Sequence, residues 1–319
     1  MRRFAFAALR ITLAVLAIVT LGAMLIRQPV LTSLPWVGTS RANPEVLRRH
    51  VAFLTTQEQP RDARHPEQLD AVAAYIARSF RESGGRVEIQ PFDARGRRYR
   101  NVIARFGPEG GTPFVVGAHY DVFCEVGGHC PGADDNASGV AGLLELARLA
   151  GRAKVGVPLV LVAYSTEEPP FFGSDGMGSA VHAQSLSAIR GMICLEMIGY
   201  YTGEQRWPNW LFELLYPSKG NFIGVAGRWR DRALTRHVVR AIRGAGGVGV
   251  CTFTGPRETL DASDHRNYWD RGWTAVLVTD TAYLRNPNYH TAHDTADTVD
   301  YERLARVADG VFNAVLQAE

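Results

Sequence analysis

Lysine is almost absent from this chain: Lys154 and Lys219 are the only two, and the other basic residues are arginines scattered along its length. With 35 basic against 32 acidic residues the net charge is only +3. No run of arginines forms the clustered basic face that nucleic-acid binding requires, which excludes nucleic acid as a partner. Cysteine is scarce too: there are four and no CxxC pair, so a structural zinc module is excluded. No G-x-S-x-G elbow is present, which disfavours a serine hydrolase. Gly173, Gly176 and Gly178 loosely suggest a phosphate loop but lack the spacing and strand-to-helix context of one. Internal repeats and low-complexity tracts are also missing.

What is present is ordinary globular composition, 46% hydrophobic and 21% charged over 319 residues. That length accommodates one large α/β domain with an appendage. The appendage is N-terminal. Arg2 and Arg3 precede an apolar stretch interrupted by Arg10, and Ile11 to Ile26 then runs without charge to Arg27. The uncharged run falls slightly short of the roughly 20 residues that cross a bilayer. Adding Phe4 to Leu9, with Arg10 snorkelling, makes a span feasible. A cleaved signal peptide is the other reading, but no small-x-small cleavage site follows Ile26, so an uncleaved anchor is favoured. Either way the body is exported, to the periplasm or the extracellular side, with the arginine flank left in the cytoplasm. Cys124 and Cys130 share one short Gly-rich loop, as a local disulfide or as two loop thiols. Cys194 and Cys251 sit in apolar runs, where a thiol is usually a small hydrophobe.

The expected organisation is residues 1–27 as anchor or signal segment, 28–42 as a Pro-containing linker, and 43–319 as the catalytic domain. Asn43 reads as the cap of a helix that has Pro44 in its first turn, and a second helix is expected from Pro66 to Glu82. Apolar, β-branched runs follow at 86–89, 102–106, 113–117, 158–164, 192–195, 222–225, 249–253 and 274–278. Helical stretches lie near 139–150, 176–186, 231–243, 264–271 and 301–317. Such alternation predicts a three-layer α/β/α sandwich around a mixed, mostly parallel sheet.

In open α/β sheets, sites form beyond the carboxyl ends of strands. His119 and Asp121 follow one predicted strand, Glu167 and Glu168 another, and Glu196 ends a third. Asp134 and Asp135 precede the helix near Gly139, and the loop after the last strand reaches His290. Singly, each has a bland explanation: Asp134–Asp135 as capping carboxylates, Glu167–Glu168 as a solvated strand end. Together they aim two imidazoles and several carboxylates at one sheet edge, a donor set suited to two divalent ions with a bridging carboxylate. Asp121 alternates with His119 in an extended segment and can fix its tautomer. Neighbouring Glu167 and Glu168 point apart, so one can ligate while the other remains free as a general base.

The blocks His119-Tyr120-Asp121, Pro131 to Gly139 (PGADDNASG), Thr166-Glu167-Glu168, Leu195-Glu196-Met197 and Asn286 to Thr291 (NPNYHT) resemble the signatures of the co-catalytic, two-zinc metallopeptidase family. That family includes bacterial leucyl aminopeptidases and is related to glutaminyl cyclases and glutamate carboxypeptidase. The resemblance covers roughly Asn101 to Asp300. It implies one zinc held by His119 and Glu196, a second by Glu168 and His290, and Asp135 bridging them. It also implies Glu167 as base, Asp121 orienting His119, and a cis peptide between Asp134 and Asp135. Two positions depart from the family's leucyl aminopeptidases: Glu196 replaces Asp, and Leu260 replaces a tyrosine that supports the oxyanion. Asp264 and His265 look like the family's SDH element, shaping the site, and His293 reads as a surface histidine. The activity implied is a zinc-dependent exopeptidase, most simply an aminopeptidase, acting on a peptide or amide substrate. A glutaminyl-cyclase-like acyl transferase and a catalytically silent binding module are the alternatives. Pro169 to Gly173 (PPFFG) reads equally as a pocket wall or a core loop. The aromatic stretch Trp207 to Tyr216 reads as a lid, a membrane-facing patch or ordinary packing.

Overall fold

A computed structural model describes residues 2–27, 29–125 and 128–318. Eight strands form one sheet: β1 (Arg86–Ala94), β2 (Arg97–Phe106), β3 (Phe114–His119), β4 (Leu159–Tyr164), β5 (Gly191–Glu196), β6 (Phe222–Arg228), β7 (Gly249–Gly255) and β8 (Ala275–Thr279). Their spatial order is β1-β2-β4-β3-β5-β8-β6-β7. The central four, β4-β3-β5-β8, run parallel, while β1/β2, β2/β4 and β6/β8 pair antiparallel.

The helices are α1 (Arg2–Arg27), α2 (Pro44–Thr55), α3 (Pro66–Glu82), α4 (Gly139–Ala150), α5 (Gly178–Ser185), α6 (Trp210–Leu215), α7 (Arg232–Ala245), α8 (His265–Asp270) and α9 (Tyr301–Leu316). Successive side chains on a strand face opposite sides, and the central strands obey this strictly. Val116, Leu161, Ile193 and Val276 join the core shared with α2, α3, α4, α7 and α9. Val115, Val160, Met192 and Leu277 join the second core, which holds Ala183 of α5 and Tyr268 and Trp269 of α8. Strands covered on both faces read as continuous apolar runs, which is why these segments carry so little polarity. The molecule is thus an α/β sandwich with a mixed, largely parallel sheet.

Asn43 does cap α2: its Oδ1 accepts from the Glu45 amide at 2.9 Å. Residues ahead of it lie along the domain. The Leu34 amide donates to the Arg240 carbonyl at 2.9 Å, and the Val37 amide donates to Asn313 Oδ1 at 3.2 Å. The Asn313 side chain donates back to the Pro35 carbonyl at 3.3 Å.

Helix α1 has 26 residues, about 39 Å at 1.5 Å per residue. Its Arg10–Arg27 portion has a mean hydropathy of 1.9, and none of its residues is fully buried. That length and composition suit a membrane anchor or a signal sequence alike.

Candidate metal centre

The carboxyl ends of β3, β4 and β5 bring the first donors together. His119 is the last residue of β3, Glu196 the last of β5, and Glu167 and Glu168 follow β4. Asp135 arrives from the irregular turn Ala133–Ser138, where Asp135 (φ −103°, ψ 96°) and Asn136 (φ −126°, ψ 39°) leave helical geometry ahead of α4. Glycine is required on both sides of that turn. A Cβ on Gly132, which has φ 59°, would collide with the Asp135 carbonyl, and one on Gly139 would lie 2.7 Å from the Leu195 carbonyl. His290 arrives from the long connection between β8 and α9.

These donors form two groups that share Asp135. His119 Nε2 lies 3.5 Å from Asp135 Oδ1 and 3.2 Å from Glu196 Oε2. His290 Nε2 lies 3.1 Å from Asp135 Oδ2 and 3.3 Å from Glu168 Oε2. Within each group the ligand atoms all fall within 4.8 Å of one another. Asp135 Oδ1, Glu168 Oε1 and His290 Nε2 are buried yet make no hydrogen bond with any described residue. Buried polar atoms without partners are rare and call for an ion or an equivalent. Nitrogen and carboxylate oxygen are the donors zinc accepts, so the residues present fit two divalent cations.

Asp121 ties the donors to one another. His119 Nδ1–H donates to its Oδ1 at 3.2 Å, because a carboxylate can only accept; Nε2 is thereby left as the nitrogen that could ligate an ion. The Glu167 and Glu168 amides donate to Asp121 Oδ1 and Oδ2 at 3.1 and 3.0 Å. Glu167 itself is buried, and among the described residues its carboxylate makes no hydrogen bond. Burial pushes Glu167 well above the usual carboxylate range; Glu168, Glu196 and Asp264 add repulsion, and His119 opposes it. Glu168 is pushed to about 8 by burial and by Asp135, against the two histidines. Burial also raises Asp135, but His119 and His290 outweigh it and hold that carboxylate below its ordinary range. The concentration of negative charge is what divalent cations would neutralise.

Several supports were not foreseen from sequence. Asp294 accepts the Asp134 and Asp135 amides at 2.9 Å each. Asn286 donates to Asp134 Oδ2 at 2.9 Å. Ser263 donates to Glu196 Oε2 at 2.7 Å. Buried Arg61 donates to the Pro131 carbonyl and, at 2.6 Å, to that of Gly132. Three non-glycine residues with positive φ touch the cluster: Thr166 (59°) before Glu167, Met197 (47°) after Glu196, and His290 itself (57°). Such geometry costs about 1–3 kcal/mol each and persists where surroundings impose it. Of these, Asn286 stood in one of the sequence blocks, though without an assigned role, and Asp294 lies only four positions beyond His290.

One expectation needs correction, and one left open is resolved as a mixture. The cis peptide lies between Asp135 and Asn136, not between Asp134 and Asp135. The Asp134 and Asp135 amides must both face the Asp294 carboxylate, so the change of direction comes one bond later. The Pro169 to Gly173 loop is neither wholly wall nor wholly core. Phe171 is buried edge-on against Tyr99, whereas Pro169 and Phe172 line the cavity of about 360 Å³ beside Glu167, Glu168 and His290.

His293 is exposed and belongs to neither group. His265 is buried and donates from Nε2 to the Leu260 carbonyl at 2.7 Å; Asp264 is buried and pushed up to about 7, mainly by burial. Cys124 and Cys130 form a disulfide, with Cα atoms 5.5 Å apart. That loop braces the His290 backbone, whose carbonyl accepts from the Glu125 amide at 3.2 Å. Cys194 and Cys251 are free.

An α/β sandwich carrying a clustered His/Asp/Glu site beyond its parallel strands is the architecture of a metallopeptidase-like hydrolase. Residues 101–315 match Peptidase family M28, and the chain belongs to that family. It is 42% identical to the uncharacterised protein YfbL of Escherichia coli K12, over 96% of this chain and 97% of that one. A probable zinc metalloprotease of Pyricularia oryzae is 27% identical over 80% of this chain, which spans only 58% of that protein. Among solved structures, a leucine aminopeptidase precursor from Bacteroides thetaiotaomicron shares the fold at TM-score 0.68 and 20% identity, covering 89% of this chain and all of that one. A glutaminyl cyclase from the same organism shares it at TM-score 0.67 and 19% identity, covering 88% and 99%.

Proposed function

We propose that the protein is a two-zinc exopeptidase, acting as an aminopeptidase on peptide or amide substrates. The observation that carries this reading is Asp135, whose two oxygens face two separate histidines at 3.5 and 3.1 Å. In this reading His119 and Glu196 hold one ion, Glu168 and His290 the other, and Asp135 bridges them. When bound, such ions supply Lewis acidity toward the scissile carbonyl and a water that ionises near neutrality. Glu167 accepts the attacking water's proton at its carboxylate and then delivers it to the departing amine nitrogen. Asp121 keeps His119 in the tautomer that presents Nε2 and anchors the Glu167–Glu168 backbone.

Leu260 offers no hydroxyl for the oxyanion. Tyr289 does: it borders the cation-site cavity, its ring stacks on His290 at 3.7 Å, and its hydroxyl has no hydrogen-bond partner among the described residues. We assign it the role of oxyanion donor.

In the same reading α1 anchors the chain, with the catalytic domain outside the cytoplasm. The Cys124–Cys130 disulfide supports an oxidising compartment. A glutaminyl-cyclase-like transferase shares the fold, but the complete pair of donor groups favours hydrolysis over it and over a silent binding module.

The test uses the full chain in detergent with zinc, on a peptide with a free N-terminus and on its N-acetylated twin. Stepwise release from the free peptide alone, abolished by chelator and restored by zinc, is expected. Cleavage of neither peptide by zinc-loaded protein would refute the aminopeptidase reading.

A further inference from the structure

A second and larger cavity, of about 630 Å³, opens from the candidate metal centre in the direction of α1. Glu196, Ala262 and Tyr289 line it as they line the smaller one, so the two cavities adjoin beside the donor cluster. Its remaining wall is mostly apolar, with a few threonines and Asn209 among the lining: Leu260, Phe253 and Tyr216 lead to Ile26, the penultimate residue of α1. Ile26 packs on the core that holds Tyr216 and Phe253, and the neighbouring Arg27 guanidinium lies 5.9 Å from the Tyr216 ring centroid. The N-terminal helix therefore completes the wall of a cavity whose polar end is the donor cluster. A volume of this size accommodates a whole small ligand rather than one compact side chain. Beside it, α6 turns Phe212 inward and leaves Trp210, Leu211 and Leu214 exposed by 72%, 40% and 70%. An exposed Trp/Leu face next to the end of an apolar helix is the composition of a membrane–water boundary.

We propose that this cavity receives a linear apolar chain borne by the substrate next to the scissile amide, with Ile26 forming part of the chain's seat. The substrate is then an amphiphilic amide, polar where it meets the metal centre and apolar toward α1. This deepens the hydrolase reading and rests on it for the chemistry, but the cavity's preference for a chain is measurable without turnover.

The test uses the full chain in lipid nanodiscs with zinc. Two aminoacyl anilides are compared, one with a linear octyl side chain and one with an ethyl side chain. A kcat/KM at least tenfold higher for the octyl substrate is expected, and Ile26→Phe or Leu260→Phe should lower the octyl-to-ethyl ratio at least tenfold. Separately, a terminally brominated octylamine should quench tryptophan emission saturably, since Trp207 and Trp229 line the cavity. Octylamine should reverse the quench, ethylamine should not, and both variants should weaken it. Chain-dependent quenching without hydrolysis of either anilide would support the cavity assignment while sinking the hydrolase reading. Hydrolysis indifferent to chain length, with no saturable quench, would overturn the inference and leave the hydrolase intact. A mature protein that begins after Ile26 would overturn it as well.

Discussion

Replacing Asp121 with Asn removes one charge and one acceptor from a buried group that serves three donors. In the wild type Oδ1 takes the His119 Nδ1–H at 3.2 Å and the Glu167 amide at 3.1 Å, while Oδ2 takes the Glu168 amide at 3.0 Å. The Asn amide can keep its oxygen toward His119 and Glu167, but its NH2 then faces the Glu168 N–H, donor against donor. The flipped rotamer loses two bonds instead of one. An unsatisfied buried donor costs about 1–3 kcal/mol, and losing the charge weakens the remaining bonds, since charge-assisted bonds are roughly twice as strong as neutral ones. Replacing a partner that orients a metal-binding histidine usually costs roughly 10- to 100-fold in metal affinity or activity, and a loss of that size is expected here in both. Zinc affinity is read by competition with a chromophoric chelator and activity by release from a free-N-terminus peptide. Circular dichroism checks that the sandwich remains folded. A folded Asp121→Asn protein with unchanged zinc affinity and unchanged kcat/KM would refute the orienting role.

Glu167→Gln should retain both zinc ions by elemental analysis while kcat falls roughly 10²- to 10⁴-fold, the range for a lost general base; near-normal turnover would remove Glu167 from that role. Tyr289→Phe should lower kcat more than it raises KM, because an oxyanion donor acts mainly in the transition state. A change confined to KM would point to ground-state binding instead. Converting Cys124 and Cys130 together to Ser frees the loop that supports the His290 carbonyl, and should weaken zinc binding while leaving the fold intact by circular dichroism. His182 and His265 are each pushed down to about 3 by burial, against about 6.5 in an unfolded chain. Between those values the unfolded chain binds protons that the folded one does not, so the stability they contribute is present above pH 6.5 and lost as pH falls. The loss is about 2 kcal/mol per histidine at pH 5. Urea unfolding of His182→Gln should show a smaller stability drop between pH 7 and 5 than the wild type, by about that amount, and an equal drop would contradict the assignment.

Apolar or β-branched runs flanked by turns located all eight strands, most plainly the central four, because a strand buried on both faces must be apolar throughout. Reading fell short where that condition lapses. The first half of β2, from Arg97 to Arg100, carries three arginines and belongs to a hairpin with one side in water, so it fell outside the predicted strand 102–106. Helix α6 lies within an aromatic-rich stretch and buries none of its residues fully, so no apolar face marked it as a helix. The candidate donors could be picked out because the ends of parallel strands collect chemistry, and His119, Glu168, Glu196 and Asp135 each sit at such an end or at the start of a helix. Their supports were not legible. Arg61 reaches the turn at Gly132 from 71 positions earlier in the chain, and Asp294 clasps two amides 160 and 159 positions away. Contacts of that separation leave no local periodicity or spacing to read. Left-handed backbone at Thr166, Met197 and His290 was equally hidden, since none is glycine.

The chain between α1 and α2 is stitched to α7 and α9 through Leu34, Pro35 and Val37. If α1 is embedded in a bilayer, the catalytic body is moored tightly rather than swinging on a loose rope, and its working radius above the lipid is short. The same stitching bears on preparing the protein. A truncation at Thr39, chosen to shed the apolar helix, would also take the Val37 and Pro35 partners from the buried Asn313 and uncover the Tyr216 and Phe253 side of the larger cavity, so detergent-solubilised full-length material is the form in which to study it.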